Sequence, residues 1–194
     1  MSSREQDPGK PPRERPARGP GKRQRSLVIV NTGEGKGKST AAFGVVIRAV
    51  ACDWPVCVIQ FIKSGKWKVG EEKIGLRLGV EWLKGGDGFT WDSPDLDQSR
   101  GRAVAAWALA AQTIARGEHR LVVLDEITYP LNWGWLELAE VIEVIRSRPE
   151  QVNIIATGRS APAELIEVAD TVTEMTKIKH AYDQGIRGRR GIDF

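Results

Sequence analysis

The residues of this chain best placed to do chemistry are a lysine, a serine and two carboxylates, because of what precedes them. Lys38 and Ser39 lie near the end of the run Asn31-Thr32-Gly33-Glu34-Gly35-Lys36-Gly37-Lys38-Ser39-Thr40, and Asp125 and Glu126 follow the apolar run Leu121-Val122-Val123-Leu124. Gly33, Gly35 and Gly37 have backbone angles open to them that other residues avoid, so successive N–H groups can turn inward around an anion. Lys38 adds a point charge, and the Ser39 hydroxyl is a hard oxygen ligand suited to Mg²⁺ beside phosphates. Carboxylates at the end of an apolar strand supply further hard oxygens, and Asp125 and Glu126 complete a site for ATP and Mg²⁺. Thr32 stands where the strict phosphate-loop pattern has glycine; the context supplies what the pattern lacks, with β-formers before and a helical pattern after. Glu126 could also orient an attacking water, which leaves nucleotide hydrolysis open.

These residues need elements to hold them. From Leu27 onward, continuous apolar strands alternate with helical patterns: a strand at Leu27 to Val30, a helix from Ser39 to about Ala51, and a strand at Val56 to Phe61 opened by Pro55. A short helix near Glu71 to Leu78, a strand at Val80 to Leu83 and an irregular loop from Lys84 to Pro94 follow. The pattern closes with a long Ala-rich helix over Asp97 to Arg116, the strand ending at Asp125, a helix over Leu136 to Arg146, a strand at Asn153 to Thr157, a helix over Ala163 to Ala169 and a strand at Thr171 to Met175. Apolar strands separated by helices predict an α/β protein, a mostly parallel sheet flanked by helices in a phosphate-loop, RecA-like architecture. Ligands of such sheets bind at the carboxyl ends of the strands, where the Gly-rich turn falls.

Composition narrows the classes. Of 194 residues 41% are hydrophobic, which suits one sizeable core. The first 25 residues hold eight Lys/Arg against three acids and five of the ten prolines. They read as a basic, Pro-rich tail, disordered when free, ahead of one domain over 26–194. The tail is +5 and the whole chain +4, so the remainder is near −1 and has no basic excess with which to track a nucleic acid. No apolar run approaches bilayer length and the tail has no apolar signal-peptide centre, so a cytoplasmic protein with no membrane partner is expected. Cys52 and Cys57 are too few and wrongly spaced for a zinc site, and they read as ordinary semi-buried thiols in a reducing compartment.

Six blocks taken together resemble the cob(I)alamin (corrinoid) adenosyltransferases of the phosphate-loop type. They are Thr32 to Gly44, Val58 to Lys63, Gly88-Phe89-Thr90-Trp91, Val122 to Tyr129, Ile155-Ala156-Thr157-Gly158-Arg159, and Lys179 to Gly185 with Gly191 to Phe194. The resemblance runs from about Leu27 to Phe194. It implies that a reduced corrinoid, with cobalt as Co(I), attacks the 5′ carbon of ATP and releases triphosphate. Co(I) is itself the nucleophile, so no side chain need be activated and the protein's tasks are positioning and charge stabilisation. Carried over, Gly33, Glu34, Gly35, Lys36, Gly37, Lys38, Ser39 and Thr40 form the nucleotide cradle, with Lys38, Ser39 and Glu126 carrying catalysis. Ser39, Asp125 and Glu126 surround Mg²⁺ or Mn²⁺. In the family the nucleotide lies reversed, so the cradle receives the γ-phosphate.

Phe89 and Trp91 are the candidates for the corrinoid side, where the matching family aromatics displace the lower axial ligand of cobalt and ease its reduction. The resemblance also implies a homodimer and an electron donor such as a flavoprotein. Arg48 is expected to face the nucleoside or to pair with an acid on its own helix. Gln60 and Lys63 fall at the ligand edge, and Arg159 there is a candidate phosphate ligand. His119 and His180 have no proton to transfer in this reaction. Trp133 and Trp135 suggest an aromatic patch, at a subunit contact or in the core. Glu34 stands where the family often has Asn or Lys, and a carboxylate there would repel a triphosphate unless turned away. Two other functions stay open: a nucleotide-hydrolysing motor or switch, and a non-catalytic carrier of ATP or corrinoid.

Overall fold

The computed structural model of the chain describes residues 26–64, 70–86 and 96–193. The expected basic tail and the aromatic pair Phe89 and Trp91 lie outside the described residues. Six strands form one sheet: β1 (Val28–Thr32), β2 (Val56–Ser64), β3 (Glu81–Gly86), β4 (Leu121–Asp125), β5 (Asn153–Thr157) and β6 (Thr171–Glu174). Their order is β3-β2-β4-β5-β1-β6, and every pairing is parallel. One strand, β5, therefore separates the strand that leads into the Gly-rich turn from the strand that ends in Asp125, the RecA-like arrangement expected from the sequence.

The helices are α1 (Lys38–Val50), α2 (Gly70–Arg77), α3 (Leu96–Arg116), α4 (Thr128–Asn132), α5 (Leu138–Arg146) and α6 (Ala163–Val168). Strand residues alternate between the two faces, so each continuous apolar run feeds two cores. Val122 and Leu124 join Cys57, Ile59, Ile154 and Ala156 under α3 and α5, where Ala106, Trp107, Ala110, Ile114, Val141 and Ile145 close the layer. Leu121 and Val123 point the other way, with Val56, Val58 and Ile155 against Ala42, Phe43, Val46 and Ala49 of α1. The i, i+3, i+4, i+7 spacing of Ala103, Ala106, Trp107 and Ala110 gives the long α3 its buried stripe. Full burial of each large side chain, such as Ile59 or Leu124, contributes about 1.5–3 kcal/mol.

The element boundaries differ from the sequence expectations mainly at their ends, as in β1, which runs on to Thr32. Two elements were not anticipated: α4 and a short 3-10 turn at Ala181–Gln184. Pro130 sits in the first turn of α4, where its missing N–H is not needed. Among the described residues no helix is long and apolar enough to cross a membrane.

Candidate active site

The Gly-rich turn leaves β1 at Thr32 and enters α1 at Lys38, so its amides and the positive end of α1 share one edge of the sheet. Gly33 and Gly37 hold φ of +93° and +120°, angles that side chains resist. Gly35 is required for a different reason. Its N–H donates to the Met175 carbonyl at 2.6 Å, and a Cβ added there would lie 2.7 Å from the backbone oxygens of Met175 and Thr176. The chain leaving β6 thus runs directly against the loop, and the Met175 N–H in turn donates to the Thr32 carbonyl at 2.9 Å. Gly35→Ala is expected to destabilise the protein by about 1–3 kcal/mol through this backbone overlap. Urea unfolding measures it, and a midpoint equal to the parent's would count against the close approach.

Lys38 folds back over the loop, its ammonium donating to the Gly33 and Gly35 carbonyls at 2.7 Å each. Burial holds its pKa below the ordinary lysine value, the charge of Arg159 pushes the same way, and Glu34 and Glu126 oppose both. The charged ammonium is the form that attracts phosphate, and it is lost as pH rises through the lowered pKa. The alkaline fall in kcat/KM for ATP is therefore expected to begin below 10.5, the unperturbed value. A limb that stays in place in Lys38→Arg would assign it to another group.

Ser39, in the first turn of α1, donates from Oγ to Asp125 Oδ1 at 2.7 Å. Asp125 is fully buried and collects two further donors, Thr157 Oγ1 on Oδ1 at 2.8 Å and Gln60 Nε2 on Oδ2 at 2.9 Å. The network reaches outward through Trp82, whose indole N–H donates to Gln60 Oε1 at 3.0 Å. Thr157 also accepts from the Glu126 N–H at 2.9 Å, which fixes the residue after β4. Glu126 takes a φ of +65°, a left-handed angle seldom adopted outside glycine, at the turn that leads from β4 into α4.

Arg159 lies on the loop after β5. That loop is pinned from α4, where Thr128 Oγ1 donates to the Arg159 carbonyl at 2.7 Å and Asn132 Nδ2 to the Ser160 carbonyl at 3.0 Å. Its guanidinium lies 3.3 Å from the Glu34 carboxylate, so the acid expected to repel a triphosphate has a cation beside it. Both side chains are about half exposed, and the pair adds little to stability. Lys36 meets the Asp193 carboxylate near the end of the chain, and Asp193 also accepts from the Arg189 N–H at 2.6 Å.

The sheet thus brings Gly33 to Ser39, Asp125, Glu126 and Arg159 to one edge, with Thr40 exposed as the third residue of α1. Arg48 stands apart in this single chain. It is exposed in the last turn of α1, about 15 Å along the axis from Lys38, where its charge suits the helix's negative end. Tyr129, Trp133 and Trp135 form a tilted stack with centroid spacings of 5.6 and 4.7 Å, anchored on α4 beside the site. A hydroxyl and a buried carboxylate 2.7 Å apart are a hard-oxygen donor set of the kind Mg²⁺ takes.

The family model described as "ATP:corrinoid adenosyltransferase BtuR/CobO/CobP" matches residues 24–194. The chain belongs to this family. Corrinoid adenosyltransferases from Pseudomonas aeruginosa and Escherichia coli K12 are 43% and 40% identical to it, each over 88% of this chain and over 85% and 87% of their own lengths. The protein named corrinoid adenosyltransferase CobA from Salmonella typhimurium is 40% identical over the same share. In this member of the ATP:corrinoid adenosyltransferases, sequence reasoning missed Thr157 and Asn132 and left Gln60 as an edge residue. Gln60 does lie at that edge, in register with Asp125, but it is buried and donates to the Asp125 carboxylate. A glutamine in an otherwise apolar strand was the available signal, since a buried amide needs a polar partner.

Proposed function

We propose that this chain transfers the 5′-deoxyadenosyl group of ATP to the cobalt of a reduced corrinoid, cobalamin or a precursor. The observation that carries this reading is the convergence of Lys38, Ser39, Asp125, Glu126 and Arg159 around the glycine loop, in a chain of this family. The lone pair of Co(I) forms the bond to C5′ while the C5′–O bond breaks, and its electron pair leaves on triphosphate. No proton moves, so the reaction needs no histidine base. The protein's contribution is to fix the triphosphate and to meet the charge that gathers on its leaving oxygen. The amides of Gly33 to Gly37 and the Lys38 ammonium do this, once Lys38 exchanges its two loop carbonyls for phosphate oxygens. Arg159, held from α4, adds a second cation, and its pairing with Glu34 keeps that carboxylate from opposing the substrate. Ser39 and Asp125, with Glu126 beside them, would hold Mg²⁺, whose chemistry is to neutralise part of the triphosphate charge.

Phe89 and Trp91 are assigned to the corrinoid through the family resemblance, as residues that favour four-coordinate cobalt. Trp91→Ala is then expected to slow reactions begun from Co(II) at least tenfold more than reactions begun from prereduced Co(I). Equal losses in the two assays would leave only a binding role. A homodimer, a flavoprotein electron donor, a cytoplasmic setting and the division into a tail over 1–25 and a domain over 26–194 belong to the same reading.

The deciding experiment is an anaerobic assay with ATP, Mg²⁺ and chemically reduced cobalamin. Loss of Co(I) absorbance with stoichiometric triphosphate and a light-sensitive product is expected. ADP and phosphate without corrinoid dependence would favour a hydrolase, and tight binding without turnover would favour a carrier.

A further inference from the structure

At the opposite end of the sheet from the glycine loop, three residues that the proposed reaction does not use come together. Cys57 on β2 is in register with Glu81, the first residue of β3, and with Val122 on β4. Residues in register on neighbouring strands share a face, and this face is the one α3 covers. His119 enters the same space from the turn between α3 and β4. One ligand atom from each of Cys57, Glu81 and His119 lies within 4.8 Å of the other two. We propose that these three side chains form a binding site for a divalent transition-metal ion, with Zn²⁺ as the preferred ion.

The geometry and the chemistry point the same way. Zinc bonds of about 2.0–2.3 Å set ligand separations of roughly 3.3–3.8 Å around a tetrahedral ion, so the cluster closes onto one with movements of about 1 Å. Cys57 is fixed on a central strand, but Glu81 is half exposed and can swing, and its open side admits water as a fourth ligand. Imidazole and thiolate suit zinc and discriminate against Mg²⁺, so this site and the hard-oxygen site near Ser39 select different ions.

A second observation is independent of the clustering. His119 Nε2 lies 2.9 Å from Glu81 Oε2, while its Nδ1 is buried with no hydrogen-bond partner among the described residues. Buried ring nitrogens are ordinarily satisfied, so the ring is held among the described residues through Nε2, the nitrogen that faces Glu81 and that a metal between the two side chains would take. Arg120, the neighbouring cation, is drawn away over the Trp54 ring at 4.2 Å. The Cys57 thiol is pushed up to about 12, first by burial and then by the Glu81 carboxylate. A metal must therefore displace its proton, and the carboxylate that disfavours the thiolate alone favours the cation that would accompany it. The site lies about 10 Å along β2 from Gln60 and on the other face, so its role is to pin the α3–β4 turn to the β2–β3 edge.

The test is titration of untagged, chelator-treated protein with Co²⁺ in the absence of nucleotide and corrinoid. One Co²⁺ per chain with a thiolate-to-cobalt charge-transfer band is expected, displaced by Zn²⁺. The band should vanish in Cys57→Ser and persist in Cys52→Ser, whose cysteine is exposed. Glu81→Gln and His119→Ala should each weaken binding by about tenfold or more. Zn²⁺ should raise the melting temperature of the parent and not that of Cys57→Ser. Binding without a charge-transfer band, or a band unchanged in folded Cys57→Ser, would overturn the proposal. Glu81→Gln alters a half-exposed side chain, so unaltered metal affinity in that variant would also overturn it, even if the Cys57 variant failed to fold.

Discussion

Lys38→Ala is expected to lower kcat/KM for adenosyl transfer by about 10³-fold or more, equivalent to about 4 kcal/mol of transition-state stabilisation. The size follows from where the charge goes. In the proposed reaction a carbon–oxygen bond breaks and its electrons pass to a triphosphate that is already anionic, while the ammonium of Lys38 sits on the loop that receives it. The loss should be specific to activity. Among the described residues Lys38 bonds two loop carbonyls, so its removal should cost about 1 kcal/mol of stability, and circular dichroism should show an intact fold. Near-parental turnover by the folded variant would remove Lys38 from the mechanism.

Asp125→Ala is expected to damage both stability and activity, and Asp125→Asn to separate the two. The alanine variant leaves Ser39, Thr157 and Gln60 without the acceptor they share, in a position fully shielded from water. A loss of about 3 kcal/mol in unfolding free energy and of about 10²-fold or more in kcat/KM is expected. Asparagine keeps the shape but places an NH₂ group where donors converge. Gln60 can turn its own carbonyl toward that NH₂ only by presenting its amide to the Trp82 indole N–H, so the mismatch is passed along the network. Asn should therefore retain more stability than Ala, yet lose the carboxylate that the proposed metal site uses beside the Ser39 hydroxyl. Chemical denaturation and single-turnover kinetics measure the two effects, and an Asn variant with parental kinetics would make Asp125 purely structural.

Much of the architecture was legible because strands buried on both faces leave unbroken apolar runs, and Leu121 to Leu124 or Val56 to Ile59 are such runs. The glycine loop and the two carboxylates were legible because they sit at strand ends, where local sequence already implies location. What sequence did not disclose depends on partners far along the chain. Thr157 looks like an ordinary strand residue until β5 is placed beside β4, and Met175 gives no sign that its carbonyl meets Gly35. The helix around Pro130 is five residues long, too short to show a period. Cys57, Glu81 and His119 are separated in sequence by 24 and 38 positions, so no spacing motif could have joined them. They meet because β3 and β4 flank the same strand.

The place of β1 in the sheet has a consequence for how the protein is made. Both neighbours of this strand come from late in the chain, β5 from residue 153 and β6 from residue 171. A nascent chain on the ribosome can pair β2 with β3 and then with β4 while β1, synthesised before any of them, still has neither neighbour. The glycine loop also lacks the Met175 backbone that backs it until that residue has emerged. The glycine loop, which follows the first strand of the sheet, is thus one of the last features to be completed. A ribosome stall between β5 and residue 171 would leave a chain with most of its apolar strands and an unbacked glycine loop, exposed to aggregation through the edge of β1 that β6 would cover.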